Sequence, residues 1–258
     1  MNFNAIEKVQ SSMTKCSECE VRHSSLFKKL SDSSLGEAEG FRKEQLIIPP
    51  RTRIFQEGDQ HDYLYTVFSG WGLIYKTASN TGKRQILQFL LPGDLIGFQT
   101  SASGVMPHSA GSVTELILCA YPRIHLKRML QQNPEVAVQM VDMRSRDVTL
   151  CQNHLMAAGR KTAKESIAFI ILELFYRVQQ QVPSSPKNTN DSFEFPITQE
   201  DIGDAIGLTN VHVNRVIKEL MSEGLIHCNK KRLTILNKEK LSQIAEFNPD
   251  MVIAHPLG

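Results

Sequence analysis

Thr-Gln-Glu-Asp-Ile-Gly-Asp-Ala-Ile-Gly-Leu-Thr-Asn-Val-His-Val-Asn-Arg-Val-Ile-Lys-Glu-Leu, residues 198–220, decides how this chain reads. The stretch predicts two short helices around a tight turn. Thr198 can cap the first helix, with Asp201 placed to meet the exposed N–H groups of its opening turn. Ile202, Ala205 and Ile206 share one inward face. Gly207 stands where the turn needs a residue without a Cβ, Leu208 plugs the space between the helices, and Thr209 can cap the second. In that second helix Val213, Val216, Ile217 and Leu220 form the buried stripe, leaving Asn210, His212, Asn214, Arg215 and Lys218 outward. A helix presenting amides, an imidazole and cations fits the width and donor/acceptor pattern of a DNA major groove. A plain helical hairpin with a solvated polar face fits the same spacing.

The next residues favour the first reading. Ser-Glu-Gly-Leu-Ile at 222–226 ends the helix at a glycine, and the alternating run from Leu225 to Leu236 is interrupted by Asn-Lys-Lys-Arg at 229–232. That pattern predicts a two-stranded hairpin with a basic tip, and hence a winged helix.

Composition narrows the class. The chain has 258 residues, 41% hydrophobic, which suits two domains with ordinary cores. Its net charge of +2 is mild, but cations cluster at Arg144–Arg146, Arg160–Lys164 and Lys230–Arg232, where an electrostatic footprint on nucleic acid is expected. No apolar run is long enough to span a bilayer, so no membrane association is expected. The N-terminus lacks the pattern of a secretory signal, and five cysteines do not make a secreted disulfide framework. A cytoplasmic location is the expectation.

From about residue 45 to 122 short apolar or alternating runs (Gln45–Ile48, Tyr63–Phe68, Trp71–Lys76, Gln85–Leu90, Val113–Ala120) are separated by turn signals at 57–59, 69–70, 80–82 and 92–94. This predicts an antiparallel barrel or roll. From Arg123 the period turns helical, and a long helix is expected from Pro134 to about Ala158. Val141, Val148 and Leu155 recur every seven residues, with Arg144, Cys151 and Ala158 three positions after each. Such a seam suggests a parallel pair of identical helices, though one helix buried against its own domain is the alternative. Met140, Met143 and Leu150 lie beside the seam and could pack on the roll. Gly159 breaks the pattern, and Thr162 with Glu165 forms a capping box that opens a new helix, so a hinge is expected at 159–161. Residues 179–192 read as a polar loop and Phe247–Gly258 as a loose tail. The expected class is therefore α+β: an N-terminal arm with a cysteine pair (1–30), a β-roll (31–125), a dimerisation helix and hinge (126–160), a winged helix-turn-helix (161–240) and a tail (241–258).

Roll, long helix and winged helix in that order resemble the Crp/Fnr family of bacterial transcription regulators. Ile-Thr-Gln-Glu-Asp-Ile-Gly-Asp-Ala-Ile-Gly-Leu-Thr at 197–209 is similar to the family's DNA-binding signature, and Gly-Asp-Leu-Ile-Gly at 93–97 to the end of its cyclic-nucleotide-binding-like jelly roll. The resemblance implies a homodimer on a near-palindromic duplex site, with RNA polymerase as a further partner. It implies no catalysis. The competing class, a metal-dependent enzyme or non-DNA sensor on a cupin-like barrel, needs clustered ligands, and the roll offers His61 and His108 without a His-x-His arrangement. Cyclic-nucleotide members carry a Glu and an Arg-Ser pair where this chain has Phe98 and His108–Ser109, a poor set for a ribose and a cyclic phosphate. The oxygen-sensing branch holds an iron–sulfur cluster on four cysteines. Cys16, Cys19 and Cys119 match three of them, and Ser25 stands at the remaining position. No cofactor is therefore the first expectation. A cluster, a thiol that responds to oxidation, and a zinc held partly by Cys16 and Cys19 stay open, as does Cys119 as a small buried apolar residue.

On the recognition helix the resemblance places Arg215 at the family's guanine-reading arginine, with a phosphate contact as the alternative. Val211 replaces a Glu that accepts from cytosine and could meet a thymine methyl instead. Asn210 and Asn214 are adenine readers or solvated amides, and His212 replaces a small hydroxyl residue that meets phosphate. Thr198, Gln199 and Thr209 lie at helix starts that suit phosphates. Lys218, Lys230, Lys231 and Arg232 would add charge without sequence information. Cys151 on the seam and Cys228 in the wing read as packing residues.

Overall fold

The turn signals between residues 44 and 122 close two antiparallel sheets into the expected roll. The computed structural model describes residues 7–8, 13–98, 104–182 and 191–252. Its elements run β1 (Glu7–Lys8), α1 (Asp32–Glu39), β2 (Glu44–Ile48), β3 (Arg53–Phe55), β4 (Tyr63–Ser69), β5 (Gly72–Thr77), β6 (Arg84–Leu90), β7 (Leu95–Ile96), β8 (Ser109–Ser112), β9 (Leu116–Pro122), α2 (Leu126–Gln132) and α3 (Pro134–Arg160). They continue with α4 (Ala163–Gln181), β10 (Ser192–Glu194), α5 (Gln199–Ile206), α6 (Asn210–Ser222), β11 (Ile226–Asn229), β12 (Arg232–Ile235) and α7 (Lys238–Ala245).

One roll sheet has the order β1-β2-β9-β4-β7 and the other β3-β8-β5-β6. Ile48, Phe55, Val67, Leu90, Leu116 and Leu118 fill the space between them. The run expected at Val113–Ala120 becomes a strand only from Leu116, as β9, and residues 113–115 join it to an unexpected strand before it, β8. Strand β8 escaped notice because Ser-Ala-Gly-Ser carries no β-branched or aromatic side chain.

Helix α3 is longer than expected. It runs through Gly159 and ends where Lys161 turns extended. The Thr162–Glu165 capping box then opens α4 as the sequence predicts. Along α3, Met140, Met143 and Leu150 are buried, whereas Val141, Val148 and Leu155 are 54%, 56% and 74% exposed. Helix α4 is apolar on nearly every side and is correspondingly enclosed. Its side chains join Trp71, Ile86 and Phe89 of the roll to Ile202, Val213, Val216 and Leu220 of the C-terminal helices in one continuous core.

Two expectations need correction. The C-terminal stretch is not loose over its described part: α7 follows β12, and Leu241, Ala245, Phe247 and Val252 are buried, with Phe247 stacked on Tyr176 of α4. The hydrophobic spacing of Leu241, Ala245 and Phe247 carried that signal. The wing also has a third strand, since β10 pairs with β12. Of the loop expected at 179–192, residues 183–190 lie outside the described residues, as do 253–258 of the tail.

Candidate DNA-binding interface

Helices α5 and α6 form around a turn that two glycines permit. Gly207 adopts φ 73°, the left-handed conformation that ends a helix without steric cost. Gly203 allows the close crossing itself: a Cβ there would lie 2.5 Å from the carbonyl oxygen of Leu208. Thr198 and Asp201 cap α5 reciprocally. The Thr198 hydroxyl accepts from the Asp201 N–H at 3.1 Å, and the Asp201 carboxylate accepts from the Thr198 N–H at 3.0 Å. Thr209 caps α6 by accepting from the His212 N–H at 3.3 Å.

Val213, Val216 and Leu220 seat α6 in the core, with Ile217 partly buried. The opposite face is open: Asn210, Val211, Arg215 and Lys218 are exposed, and His212 and Asn214 half-buried. Thr198 is exposed and Gln199 half-buried at the start of α5, while Thr209 is exposed at the start of α6. At the wing, Lys230 has φ 54° in the turn between β11 and β12, and Lys230, Lys231 and Arg232 are all exposed. Among the described residues Lys218, Lys230 and Lys231 form no ion pair, and Arg232 donates to the Ser192 hydroxyl at 3.3 Å. These cations keep their charge for an outside partner.

Arg144, Arg146, Lys161 and Lys164 of the other two basic clusters are committed elsewhere, which narrows the expected footprint. Arg146 pairs with Asp94 at 2.6 Å, and Arg144 with Asp147 at 2.8 Å while donating to the Leu95 carbonyl. Lys161 pairs with Glu246, and Lys164 with Glu219 and Glu223. Partly buried cations of this kind hold elements together instead of presenting charge. Arg144 thus faces the roll, lying over the Phe98 ring, whereas Cys151 is exposed beside the apolar seam.

A contact missed by sequence reasoning ties α5 to the roll. Arg84 bonds Asp204 at 2.7 Å and Asp201 at 2.8 Å, Arg51 reaches Asp201 at 2.9 Å, and the Gln85 amide donates to the Ala205 carbonyl. Burial pushes the Asp201 carboxyl up, but the Thr198 donors and Arg51 outweigh it and hold it below the usual carboxylate range. No local pattern couples positions more than a hundred residues apart, so only the folded chain reveals the clamp.

Cys16, Cys19, Ser25 and Cys119 line one small pocket of about 20 Å³, together with Arg42, Thr66 and Tyr121. Ser25 turns its hydroxyl to the Arg22 carbonyl, and Cys119 accepts from the Gln45 amide at 3.3 Å. Burial pushes the Cys16 thiol up to about 12 and raises Cys19 as well. Three thiols and a hydroxyl do not fit a four-thiolate cluster, and among the described residues no group of three or more His, Cys, Asp or Glu side chains is placed to hold a metal ion. Cys228 is half-buried and raised by burial, as a packing residue would be.

Comparison with known proteins gives the same architecture. Residues 45–133 match the family model of the cyclic nucleotide-binding domain, and residues 166–244 that of the Crp-like helix-turn-helix domain. The chain is 26% identical over 231 residues to the transcriptional activator protein FnrL of Cereibacter sphaeroides, covering 90% of this chain and 91% of that protein. It is 27% identical over 230 residues to the fumarate and nitrate reduction regulatory protein of Escherichia coli K12, covering 89% and 90%. In fold it is similar to FixK2 from Bradyrhizobium japonicum, with a TM-score of 0.67 over 78% of this chain and 96% of that one, at 24% identity. The chain belongs to the Crp/Fnr family of transcription regulators, DNA-binding proteins that are not enzymes. No helix among the described residues is long and apolar enough to cross a membrane.

Proposed function

We propose that the protein regulates transcription as a homodimer on a near-palindromic promoter site, without cyclic nucleotide. The observation that carries this reading is the pairing of two open faces: the seam of Val141, Val148 and Leu155 on α3, and the polar outer face of α6. Two-fold pairing along α3 would present two copies of α6 to half-sites about 10–10.5 bp apart. In this reading Arg215 reads guanine, Val211 meets a thymine methyl, and Asn210 and Asn214 read adenine. Thr198, Gln199, Thr209, Lys218, Lys230, Lys231 and Arg232 meet phosphates, and RNA polymerase is the further partner.

Independence from cyclic nucleotide rests on Phe98 and His108. Burial first, then the charges of Arg144 and Lys76, push His108 down to about 4, so it is a neutral ring at physiological pH and no anchor for a cyclic phosphate. A second reading, a redox regulator, is favoured by the convergence of Cys16, Cys19 and Cys119 on one pocket. Against it, a thiol raised to about 12 is protonated at neutral pH and slow to oxidise. An anaerobic visible spectrum separates the cluster-bearing form of this second reading from the first, since a cluster would absorb and bleach in air.

A retardation assay with promoter fragments and competitor DNA tests the first reading. Arg215→Ala is expected to abolish preference for the cognate fragment while leaving weak, salt-sensitive binding. Preference that survives the change contradicts the assignment.

A further inference from the structure

We propose that His212 is the positioning residue for Arg215, and so a determinant of base specificity on this recognition helix. The inference rests on the reading of Arg215 as the guanine-contacting side chain. The Arg215 Nη2 group donates to His212 Nε2 at 2.9 Å, across one turn of α6. An imidazole that accepts through Nε2 carries its proton on Nδ1. The two residues differ in freedom: His212 is half-buried on the first turn, its backbone fixed to the Thr209 cap, whereas Arg215 is exposed.

The neighbouring groups leave the imidazole as the acceptor for this guanidinium. Val211, one residue before His212, is 82% exposed and has nothing to accept with. Glu219, one turn beyond Arg215, is bound to Lys164 at 2.8 Å. Lys218 is a cation. A long side chain free in water loses rotamer entropy when it enters a groove, and an acceptor that orders it beforehand reduces that loss. The guanidinium has five N–H donors, and the imidazole takes one. Four remain, enough for two parallel bonds to guanine O6 and N7. An arginine so held presents its planar fork in one orientation, which rewards guanine over the other bases.

The test is relative affinity for the duplex that the protein selects from a randomised pool, against duplexes in which the Arg215-contacted guanine is replaced by each other base. Arg215→Ala should lose roughly five- to hundred-fold of discrimination. His212→Ala should lose about five-fold at that base alone. His212→Gln, whose amide oxygen can accept the same bond, should restore most of it. A uniform drop in affinity for all duplexes with His212→Ala, at unchanged base preference, would mark His212 as a phosphate contact and overturn the proposal. Discrimination that persists in Arg215→Ala overturns the Arg215 reading itself, and the His212 proposal with it. Loss with Arg215→Ala but not with His212→Ala overturns the His212 proposal alone.

Discussion

Arg177 of α4 and Asp94 of the roll meet at 2.7 Å with their side chains 2% and 1% exposed. Asp94 also binds Arg146 of α3, the Gln181 amide and the Leu91 N–H, so one carboxylate joins the roll, the long helix and the first helix of the DNA-binding unit. Arg177 extends the chain to Glu173, which bonds His154 of α3. Burial pushes the Asp94 carboxyl up, and the Arg177 and Arg146 charges more than offset it, leaving a carboxylate ionised below the usual range.

Removing that carboxylate takes the shortest ion pair from two buried guanidinium groups, leaving Arg177 with Glu173 at 3.3 Å and Arg146 with Asp147 at 3.4 Å. Asp94→Ala is therefore expected to cost about 3–5 kcal/mol of stability, read as a lower denaturant midpoint. A loss below about 0.5 kcal/mol would show that water reaches these arginines.

His108 supplies the pH dependence. Its folded pKa, about 4, lies below the ordinary 6.5, so the unfolded state binds more protons between these values. The stability contributed by the neutral ring is whole above pH 6.5 and is lost as pH falls toward 4. Thermal midpoints measured across this window should fall less steeply for His108→Gln than for the parent chain. Parallel slopes would refute a buried neutral imidazole.

Gly203→Ala should break the turn, since the new Cβ would meet the Leu208 carbonyl oxygen at 2.5 Å. An overpacking cost of about 1–3 kcal/mol is expected, confined to α5 and α6. DNA retention should be lost while the roll keeps its amide protection in hydrogen exchange.

The legible parts of the chain were those governed by local rules. Caps at Thr198, Thr162 and Thr209, the left-handed Gly207 and the buried stripes of α5 and α6 follow from spacing alone. Strand β8 was hidden by its small residues, and the role of Gly203 by its resemblance to any helical glycine. The basic clusters at 144–146 and 160–164 misled because sequence shows charge but not partners: Asp147 is a local partner of Arg144, but Asp94, Glu246, Glu219 and Glu223, which hold Arg146, Lys161 and Lys164, lie about 50 to 85 positions away. The Arg84–Asp201 clamp and the Asp94 hub join residues about 50 to 120 positions apart, beyond the reach of any periodicity.

Leu155 is the most exposed of the three seam residues. Leu155→Glu should leave the stability of a single chain within about 0.5 kcal/mol and shift sedimentation equilibrium from two chains to one. An unchanged mass would place the two-fold contact elsewhere.

Selection of bound duplexes from a randomised pool tests the central claim most directly. Two inverted half-sites with centres about 10–10.5 bp apart are predicted, each containing a guanine whose preference disappears with Arg215→Ala. A single unpaired motif, or no enrichment above competitor, would contradict a two-fold regulator reading DNA through α6.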